Sequence, residues 1–446
     1  MTETEAWCEL LTLSISVPDA RSDRGKRYNL AELLFLIVAG LLAGGQDAED
    51  IIDFGEDHID WLEQFLLLPH GLPSHDTVLR IVGLLQPGAV ESLVRSWTEA
   101  LARPGALTTE GFQVAFDGKA ARGSADRRAG LSPVHMVSAF LTEAGFTLGS
   151  ERVDDKSNEI KAIPILVRSL DLRGATVSSD AMGCQREIAA CLREAGAHYL
   201  LQVKGNQPTL LAQIRDIAEE LARRLGPGEE RPVFDRHRDV DKGHGRIETR
   251  VCLVTQDLER IERRSEWADL AGVAIMLRER EDVISGKRTR EFSYFILSDE
   301  SASARKVAGQ IRAHWSIEPP ASTRSGETGS EPKASPPGRD SGGARNTLHW
   351  SLDVVWGEDA HQVRHRQAAE NFSWLRRFAA GLIKQSVGAR MSGKRLRGHC
   401  NRNPKTILRV LAGEEVSRAA KRRPNRKLVG RFGQGVTKAG PAKPTD

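Results

Sequence analysis

The order of extended and helical runs after residue 112 constrains the fold of this chain most strongly. Three β-prone runs separated by Gly, Ser and Pro predict three strands joined by turns, at residues 112–116, 134–140 and 146–153. Helical and extended patterns then alternate, which predicts a helix, a strand, a helix and a strand at 159–170, 175–179, 185–195 and 199–203. The predicted order is therefore βββαβαβ.

This element order is typical of an RNase H-like core, in which parallel strands extend an antiparallel three-stranded sheet and helices pack on it. We therefore predict an α/β (α+β) fold with such a catalytic core at 106–318, preceded by an all-helical domain at 1–105. A mainly β insertion is predicted at about 205–300, and helices that complete the core are predicted at 346–385. Helical spacing of the apolar residues supports the N-terminal assignment.

The remaining segments are rich in Pro, Gly and Ser or in Lys and Arg. Fifteen of the 27 residues at 319–345 are Pro, Gly or Ser, and none is Ile, Leu, Val, Met or aromatic, which predicts a disordered low-complexity insertion. Residues 384–446 carry 17 Lys or Arg against 3 Asp or Glu. The overall net charge of +4 minus the +14 of this segment leaves −10 for residues 1–383. We predict a basic tail at 386–446 that either solubilises the chain or contacts a polyanion such as nucleic acid.

Hydropathy and cysteine usage narrow the class of protein. The apolar run at 33–42 is about half as long as a membrane-spanning helix requires, so no membrane association is expected. The N-terminus begins with acidic residues and shows no small-residue cleavage site, and a cytoplasmic, nucleoid-associated location is the expectation. Five cysteines without a C-x-x-C pair argue against a disulfide framework and a structural zinc site.

Three acidic residues stand where the predicted sheet and a late helix would bring them together. Asp117 closes the first predicted strand, Asp180 closes the fourth, and Glu318 lies on the apolar stripe of a helix predicted at 302–318. The first and fourth strands of an RNase H-like sheet are neighbours, so the two aspartates are expected to meet. Crowded carboxylates repel each other, and divalent cations relieve that repulsion while binding phosphate. For either aspartate alone, a turn former or a helix N-cap is the alternative.

Six residues near these acids carry groups that could contact DNA phosphates, namely Lys119, Arg122, Lys204, Asn206, Gln207 and His314. For the first two, the alternative is an ordinary exposed base beside a turn. His314 precedes Glu318 by one helical turn and could instead orient that carboxylate. Glu159 could position a metal site or cap the helix that it begins.

Several ordered motifs extend the comparison along the chain. They are FDGKAARGS at 116–124, HMVSAF at 135–140, DKSNEIKAIPILVRSLDLRGATVSSDAMGCQREIA at 155–189 and YLLQVKGNQPTLL at 199–211. The chain resembles the bacterial insertion-sequence DDE transposases of the H repeat-associated (ISAs-type) family in these motifs. PDARSDRGKRYNLAELL, DWLEQF and GLPSHDTVLRIVGLL are similar to the helical domain associated with that family, and IRAHWSIE and NTLHWSLDVVWGEDA resemble its last signature. The resemblance covers about residues 18–410.

The resemblance implies a DNA transposase that cuts the ends of a mobile element and joins the freed 3′-hydroxyls to target DNA. It implies that Asp117, Asp180 and Glu318 are the catalytic and metal-binding triad, holding two Mg²⁺ ions for which Mn²⁺ can substitute. The implied partners are double-stranded DNA and a second copy of the chain in a synaptic homodimer. A metal-dependent nuclease with the same core and an inactive DNA-binding remnant are the alternatives.

One departure from the family pattern bears on activity. In the family the Glu is followed directly by Asn and the LHW motif, whereas here 27 residues separate Glu318 from Asn346. Pro319 and Pro320 cannot continue a helix, so we interpret the segment as an in-frame insertion. Loop closure costs grow only logarithmically with length. A displacement of about 1 Å can nevertheless cost about a hundredfold in rate, so the sequence leaves the activity of this copy open.

Overall fold

In the computed structural model of the chain, the described residues are 2–22, 26–102, 107–126, 128–153, 159–224, 234–243, 245–315, 349, 351–388 and 391–417. The N-terminal helices are α1 (Glu3–Ile15), α2 (Leu30–Ala43), α3 (Ala48–Asp57), α4 (Ile59–Leu62), α5 (His75–Leu84) and α6 (Pro87–Leu101). Helix α2 is at the centre of this layer, since every residue in it except Glu32 is buried. The Asn29 side chain begins it by accepting the N–H of Ala31 at 2.8 Å, and Gly44, at φ 122°, ends it.

Further helices in the C-terminal part of the described chain pack against this layer, namely α11 (Arg366–Ser386), α12 (Gly393–Arg402) and α13 (Lys405–Leu411). The rings of Trp97 in α6 and Phe378 in α11 have centroids 5.2 Å apart. Leu396 and Leu411 are fully buried in the same core. The first part of the predicted basic tail at 386–446 therefore contains two packed helices, because apolar residues recur at helical spacing among the basic ones. The rest of that segment, like the insertion predicted at 319–345, lies outside the described residues.

The strands are β1 (Gln113–Ala121), β2 (Val134–Leu141), β3 (Phe146–Val153), β4 (Thr176–Ser179), β5 (His198–Val203), β6 (Asp235–Gly243), β7 (Arg246–Thr255), β8 (Gly272–Asp282) and β9 (Arg288–Leu297). The helices between and after them are α7 (Glu159–Ser169), α8 (Arg186–Glu194), α9 (Pro208–Arg224) and α10 (Ala304–Trp315). One nine-stranded sheet has the order β3-β2-β1-β4-β5-β9-β8-β7-β6. The pairs β1–β2 and β2–β3 are antiparallel, whereas β1–β4 and β4–β5 are parallel. This arrangement confirms the predicted RNase H-like core.

The predicted β insertion continues the same sheet. Strand β9 pairs antiparallel with β5, and β8, β7 and β6 follow it outward. Sequence patterns did not predict β6, because most of its residues are charged and exposed and it has no apolar alternation. Ion pairs with β7 compensate for the missing apolar face: Arg250 Nη1 lies 3.1 Å from Asp239 Oδ2 and 2.8 Å from Asp241 Oδ2.

Strand β1 is longer than predicted. It runs to Ala121, so Asp117 lies within its pairing to β2 and does not close the strand. Its pairing with β4, however, ends at Phe116, and Asp117 is the first residue beyond that ladder. Gly118 and Lys119, which would favour a turn after Asp117, stay extended because β2 supplies partners for them.

Within the described parts of the chain, no single helix has both the length and the apolar composition to cross a membrane. Two pairs of consecutive helices have that length and composition only when the two helices of a pair are treated as one segment. The helices of these pairs are bent against each other by 92° and 98°.

Candidate active site

Asp117 and Asp180 occupy adjacent strands at the same level of the sheet. The last registered pair of β1 and β4 is Phe116 with Ser179, and the two aspartates follow directly. Side chains alternate along a strand, and Asp180 remains extended at φ −65° and ψ −176°, so both carboxylates are on one face. The strand-end convergence predicted from topology therefore holds for this pair.

Each aspartate is held by a backbone N–H close to it in sequence. Asp117 Oδ1 accepts the N–H of Gly118 at 2.9 Å, and Asp180 Oδ1 accepts the N–H of Met182 at 3.0 Å. Asp180 thereby caps the short 3₁₀ turn Ala181–Gly183, as the N-cap alternative expected. Capping uses one carboxylate oxygen, and the second can serve a further ligand.

Helix α10 lies over the same face of the sheet. His314 Nδ1 lies 3.0 Å from Ser178 Oγ, two residues before Asp180. Gln113 Nε2 donates to the same hydroxyl at 2.6 Å and to the carbonyl of Gln310 at 3.0 Å. These buried contacts fix how the helix sits on strands β1 and β4, which supports the expected crossing of the late helix. Glu318 itself lies outside the described residues.

His349 is a site residue that sequence reasoning did not single out, although it belongs to the LHW motif. Its Nδ1 lies 3.3 Å from Asp117 Oδ2, and it is almost completely buried. Burial lowers the pKa of His349 to about 3, and the nearby cations Lys119 and Arg377 act in the same direction. The imidazole is therefore neutral at ordinary pH and orients Asp117 without adding charge.

Lys119 is buried, in contrast to the exposed base expected beside a turn. Its Nζ lies 2.6 Å from Asp353 Oδ1 and 2.7 Å from Glu358 Oε2. Burial by itself would lower the pKa of Lys119, but the Glu358 and Asp353 carboxylates raise it above its ordinary value. The ammonium is thus used inside the protein, and the arrangement does not support a phosphate contact.

Glu358 completes this group, and it is buried in the core with 2% of its surface exposed. It was not identified from the sequence as a site residue. Its Oε1 lies 3.0 Å from Arg377 Nη1 and accepts the hydroxyl of Ser373 at 2.7 Å. Burial would raise the pKa of Glu358, yet Arg377 and Lys119 hold it far below its usual range. No local pattern signals such a residue, since its cationic partner in β1 is 239 positions away.

The other predicted phosphate contacts separate into two groups. Arg122 and Lys204 are exposed, with the Arg122 Nε 3.8 Å from Asp359 Oδ2. Asn206 Nδ2 instead donates to the carbonyl of Ala181 at 2.6 Å. Gln207 Nε2 likewise donates within this loop, to the carbonyl of Cys184 at 3.0 Å. These two amides hold the loop that carries Asp180 in place, and the buried His314 does the same for helix α10.

The opposite face of β1 carries a second buried polar pair. His135 Nε2 lies 2.5 Å from Glu159 Oε1, and both residues are buried. The pair lies against Gly118, where a Cβ would overlap Glu159 Oε1 and come within 2.8 Å of His135 Nε2. Gly118 is therefore required for close packing behind Asp117, and Glu159 supports the strand from behind.

The donor set at this edge suits a hard divalent cation. Asp117 and Asp180 present carboxylate oxygens, the ligands that Mg²⁺ prefers. The described residues contain no group of three or more His, Cys, Asp or Glu placed to hold a metal ion. Glu318, the third predicted acid, is not among them. The two aspartates fit a metal site that needs at least one further ligand.

Comparisons with known proteins agree with this geometry. Residues 14–98 match the DDE_Tnp_1-associated family model, and residues 106–323 match the model of the transposase DDE domain. The "H repeat-associated putative transposase YhhI" of Escherichia coli K12 is 30% identical over 407 residues, which cover 90% of this chain and 97% of that protein. The chain belongs to the DDE transposase family. The match confirms the resemblance read from the motifs, and the matched DDE domain includes Asp117, Asp180 and Glu318.

Two further comparisons cover different shares of the chain. The "Uncharacterized protein in dhlA 3'region" of Xanthobacter autotrophicus is 36% identical over 283 residues, which cover 63% of this chain and 92% of that protein. A cryo-EM structure of the piggyBac transposase synaptic complex with hairpin DNA matches with a TM-score of 0.34 at 11% identity, over 91% of this chain and 78% of that one. The fold assignment rests on the strand order of the sheet.

Proposed function

We propose that this DDE transposase cuts the ends of an insertion sequence and joins the freed 3′-hydroxyls to target DNA. The observation that carries the proposal is the β1–β4 register, which sets Asp117 and Asp180 side by side on the face crossed by α10. Membership of the family supplies the reaction class, since DDE transposases generally use divalent metals. The geometry supplies two of the three acids.

The residues of the chain have distinct tasks in this reaction. Asp117, Asp180 and Glu318 would hold two Mg²⁺ ions, which when bound activate the attacking oxygen and stabilise the leaving one. Water attacks the phosphorus at the element end, and the bond to the 3′-oxygen breaks. The resulting 3′-hydroxyl then attacks a phosphorus of the target strand, whose own 3′-oxygen leaves as a hydroxyl. Neutral His349 orients Asp117, and Asn206 fixes the loop of Asp180. No covalent enzyme intermediate is required.

In this proposal DNA is bound by two sets of basic side chains, one close to Asp117 and Asp180 and one in the C-terminal part of the chain. Arg122 and Lys204 are exposed on segments that leave β1 and β5 near the aspartates. The basic residues beyond 417, which lie outside the described chain, would add sequence-independent phosphate contacts. Truncation after residue 417 should weaken DNA retention and flatten its dependence on salt. Bringing two element ends together would take a homodimer.

Supercoiled donor DNA that carries the element ends, incubated with Mg²⁺ and the full chain, tests the proposal. Joined products identify a transposase. Asp117→Ala and Asp180→Ala should abolish cleavage while DNA retention persists. Asp171→Ala, which removes an exposed aspartate from the loop after α7, should cleave normally. Unchanged cleavage by either active-site variant would overturn the assignment of the acids.

A DNA-binding remnant is the second candidate, and the 27 residues that separate Glu318 from Asn346 favour it. The same assay distinguishes the candidates, since a retarded but uncut complex indicates a remnant and cutting without joining indicates a nuclease. Deleting residues 319–345 should raise activity if the insertion displaces Glu318. A deletion variant that folds but stays inert would remove the insertion as the cause.

A further inference from the structure

A group of buried charges joins strand β1 to the chain that follows the insertion. We name Lys119, Asp353, Glu358 and Arg377 the β1 charge cluster. Lys119 contacts both carboxylates at 2.6 and 2.7 Å, and Arg377 of helix α11 contacts Glu358 at 3.0 Å. The side chain of Lys119 is on the same face as Asp117, two residues earlier in the strand. The cluster therefore borders the candidate active site.

We propose that Lys119 and Glu358 are positioning residues for the metal-dependent reaction. Their ion pair fastens residues 351–361 to β1 just beyond Asp117, and their mutual neutralisation leaves the site able to accept divalent cations. This inference rests on the proposed function, because it assumes that Asp117 is a metal ligand. It gives Lys119 a task different from the DNA contact predicted from the sequence.

The packing between β1 and this segment supports a mechanical role. The N–H of Arg122 donates to Asp359 Oδ1 at 3.1 Å. A Cβ on Gly123 would overlap the carbonyl oxygen of His361, so the two backbones are in close contact there. His349, a few residues earlier, touches Asp117 itself. Loosening the segment would therefore release a contact of the catalytic carboxylate.

The charges of the cluster support an electrostatic role. Two buried cations, Lys119 and Arg377, face the carboxylates of Asp353 and Glu358. Asp359 also lies 3.6 Å from Lys119 Nζ and pairs with the exposed Arg122 at 3.8 Å, so the cluster with this outer pair holds three cations and three carboxylates and is neutral. Removing Glu358 takes away the carboxylate that pairs with Arg377 and leaves one positive charge in excess beside the site. An unpaired unit charge within roughly 10 Å of a divalent ion weakens its binding by about tenfold or more. Removing Lys119 and Glu358 together restores neutrality.

Mn²⁺ binding to the full-length chain without DNA tests the proposal, with free Mn²⁺ measured by electron paramagnetic resonance. Glu358→Gln should weaken the Asp117-dependent binding by about tenfold or more. The double variant Lys119→Met with Glu358→Gln should regain most of the loss, which a merely structural role would not produce. Glu370→Gln is the matched control, since Glu370 is a buried carboxylate of helix α11, paired with Arg152 at 2.9 Å on the outer strand β3. It should bind Mn²⁺ like the wild type.

The outcomes separate this proposal from the one on which it rests. If Asp117→Ala abolishes Mn²⁺ binding but Glu358→Gln binds normally, the positioning role is overturned and the proposed function stands. If the wild type shows no Asp117-dependent Mn²⁺ binding, both are overturned. A double variant as weak as Glu358→Gln would overturn the charge argument. If Glu358→Gln does not fold, Asp353→Asn replaces it with the same expectations, since that side chain is 27% exposed.

Discussion

Gly118→Ala should damage both stability and activity, because the added methyl group has no room behind Asp117. The new Cβ would overlap Glu159 Oε1 and lie 2.8 Å from His135 Nε2. Overpacking a buried site costs about 1–3 kcal/mol, and separating the buried His135–Glu159 hydrogen bond costs about 1–3 kcal/mol more. Since both costs are partly relieved by relaxation, we expect the free energy of unfolding to fall by about 2–4 kcal/mol.

The same substitution should reach the catalytic carboxylate. Gly118 donates its N–H to Asp117 at 2.9 Å, so a shift of the strand by about 1 Å should lower the cleavage rate by about a hundredfold. Urea unfolding and cleavage of supercoiled donor DNA measure the two effects. Gly309→Ala, in α10 with nothing within 4 Å of its Cβ, is the control and should gain about 0.5–1 kcal/mol with normal cleavage. A Gly118→Ala variant as stable and active as the wild type would refute the packing argument.

Three further perturbations have outcomes that the structure predicts. Arg397→Leu should lower the free energy of unfolding by about 3–5 kcal/mol in urea titrations. The reason is that Arg397 Nε and Nη2 donate to the buried carbonyl of Leu41 at 3.1 and 2.9 Å. A loss under about 1 kcal/mol would contradict this expectation. Asn206→Ala should cost about 1 kcal/mol but slow cleavage more than about tenfold with DNA retention intact, since its bond to Ala181 holds the Asp180 loop. Burial lowers the pKa of His361 to about 3, so the unfolded chain binds the proton more readily and stability falls as pH drops from about 6.5. His361→Gln should remove about 2–3 kcal/mol of the fall between pH 7 and pH 4.5, and an unchanged pH profile of unfolding would contradict the assignment.

The core strands could be predicted because each combines a distinctive pattern with clear ends. Strands β4 and β5 are short apolar runs between amphipathic helices, and their predicted bounds differ from the observed ones by a single residue. Strand β6 escaped prediction because most of its residues are charged and exposed, and neither its ladder nor its ion pairs with β7 leave an apolar period in the sequence. Long-range pairing also extended β1 past Gly118, where local turn preference predicted an end.

The site was predictable to the extent that topology alone determines it. Knowing that the first and fourth strands are neighbours was enough to bring Asp117 and Asp180 together. The ion pair of Lys119 and Glu358 was not predictable, because it depends on how a segment near the C-terminus returns to β1. In isolation, a Lys after a strand and a Glu in a polar loop both favour exposed positions. Both residues are nevertheless buried, because tertiary packing brings them together as an ion pair.

The chain up to residue 315 and the chain from residue 349 onward are each held on the sheet by their own contacts. Before it, His314 joins α10 to Ser178 of β4. After it, Glu358 joins the chain to Lys119 of β1, and helix α11 packs into the N-terminal core. None of these contacts requires direct covalent continuity between residues 315 and 349, and lengthening that connection costs only the logarithm of its length. We therefore expect residues 319–345 to affect activity through the few residues that follow Trp315, including Glu318, and not through the assembly of the two halves of the site.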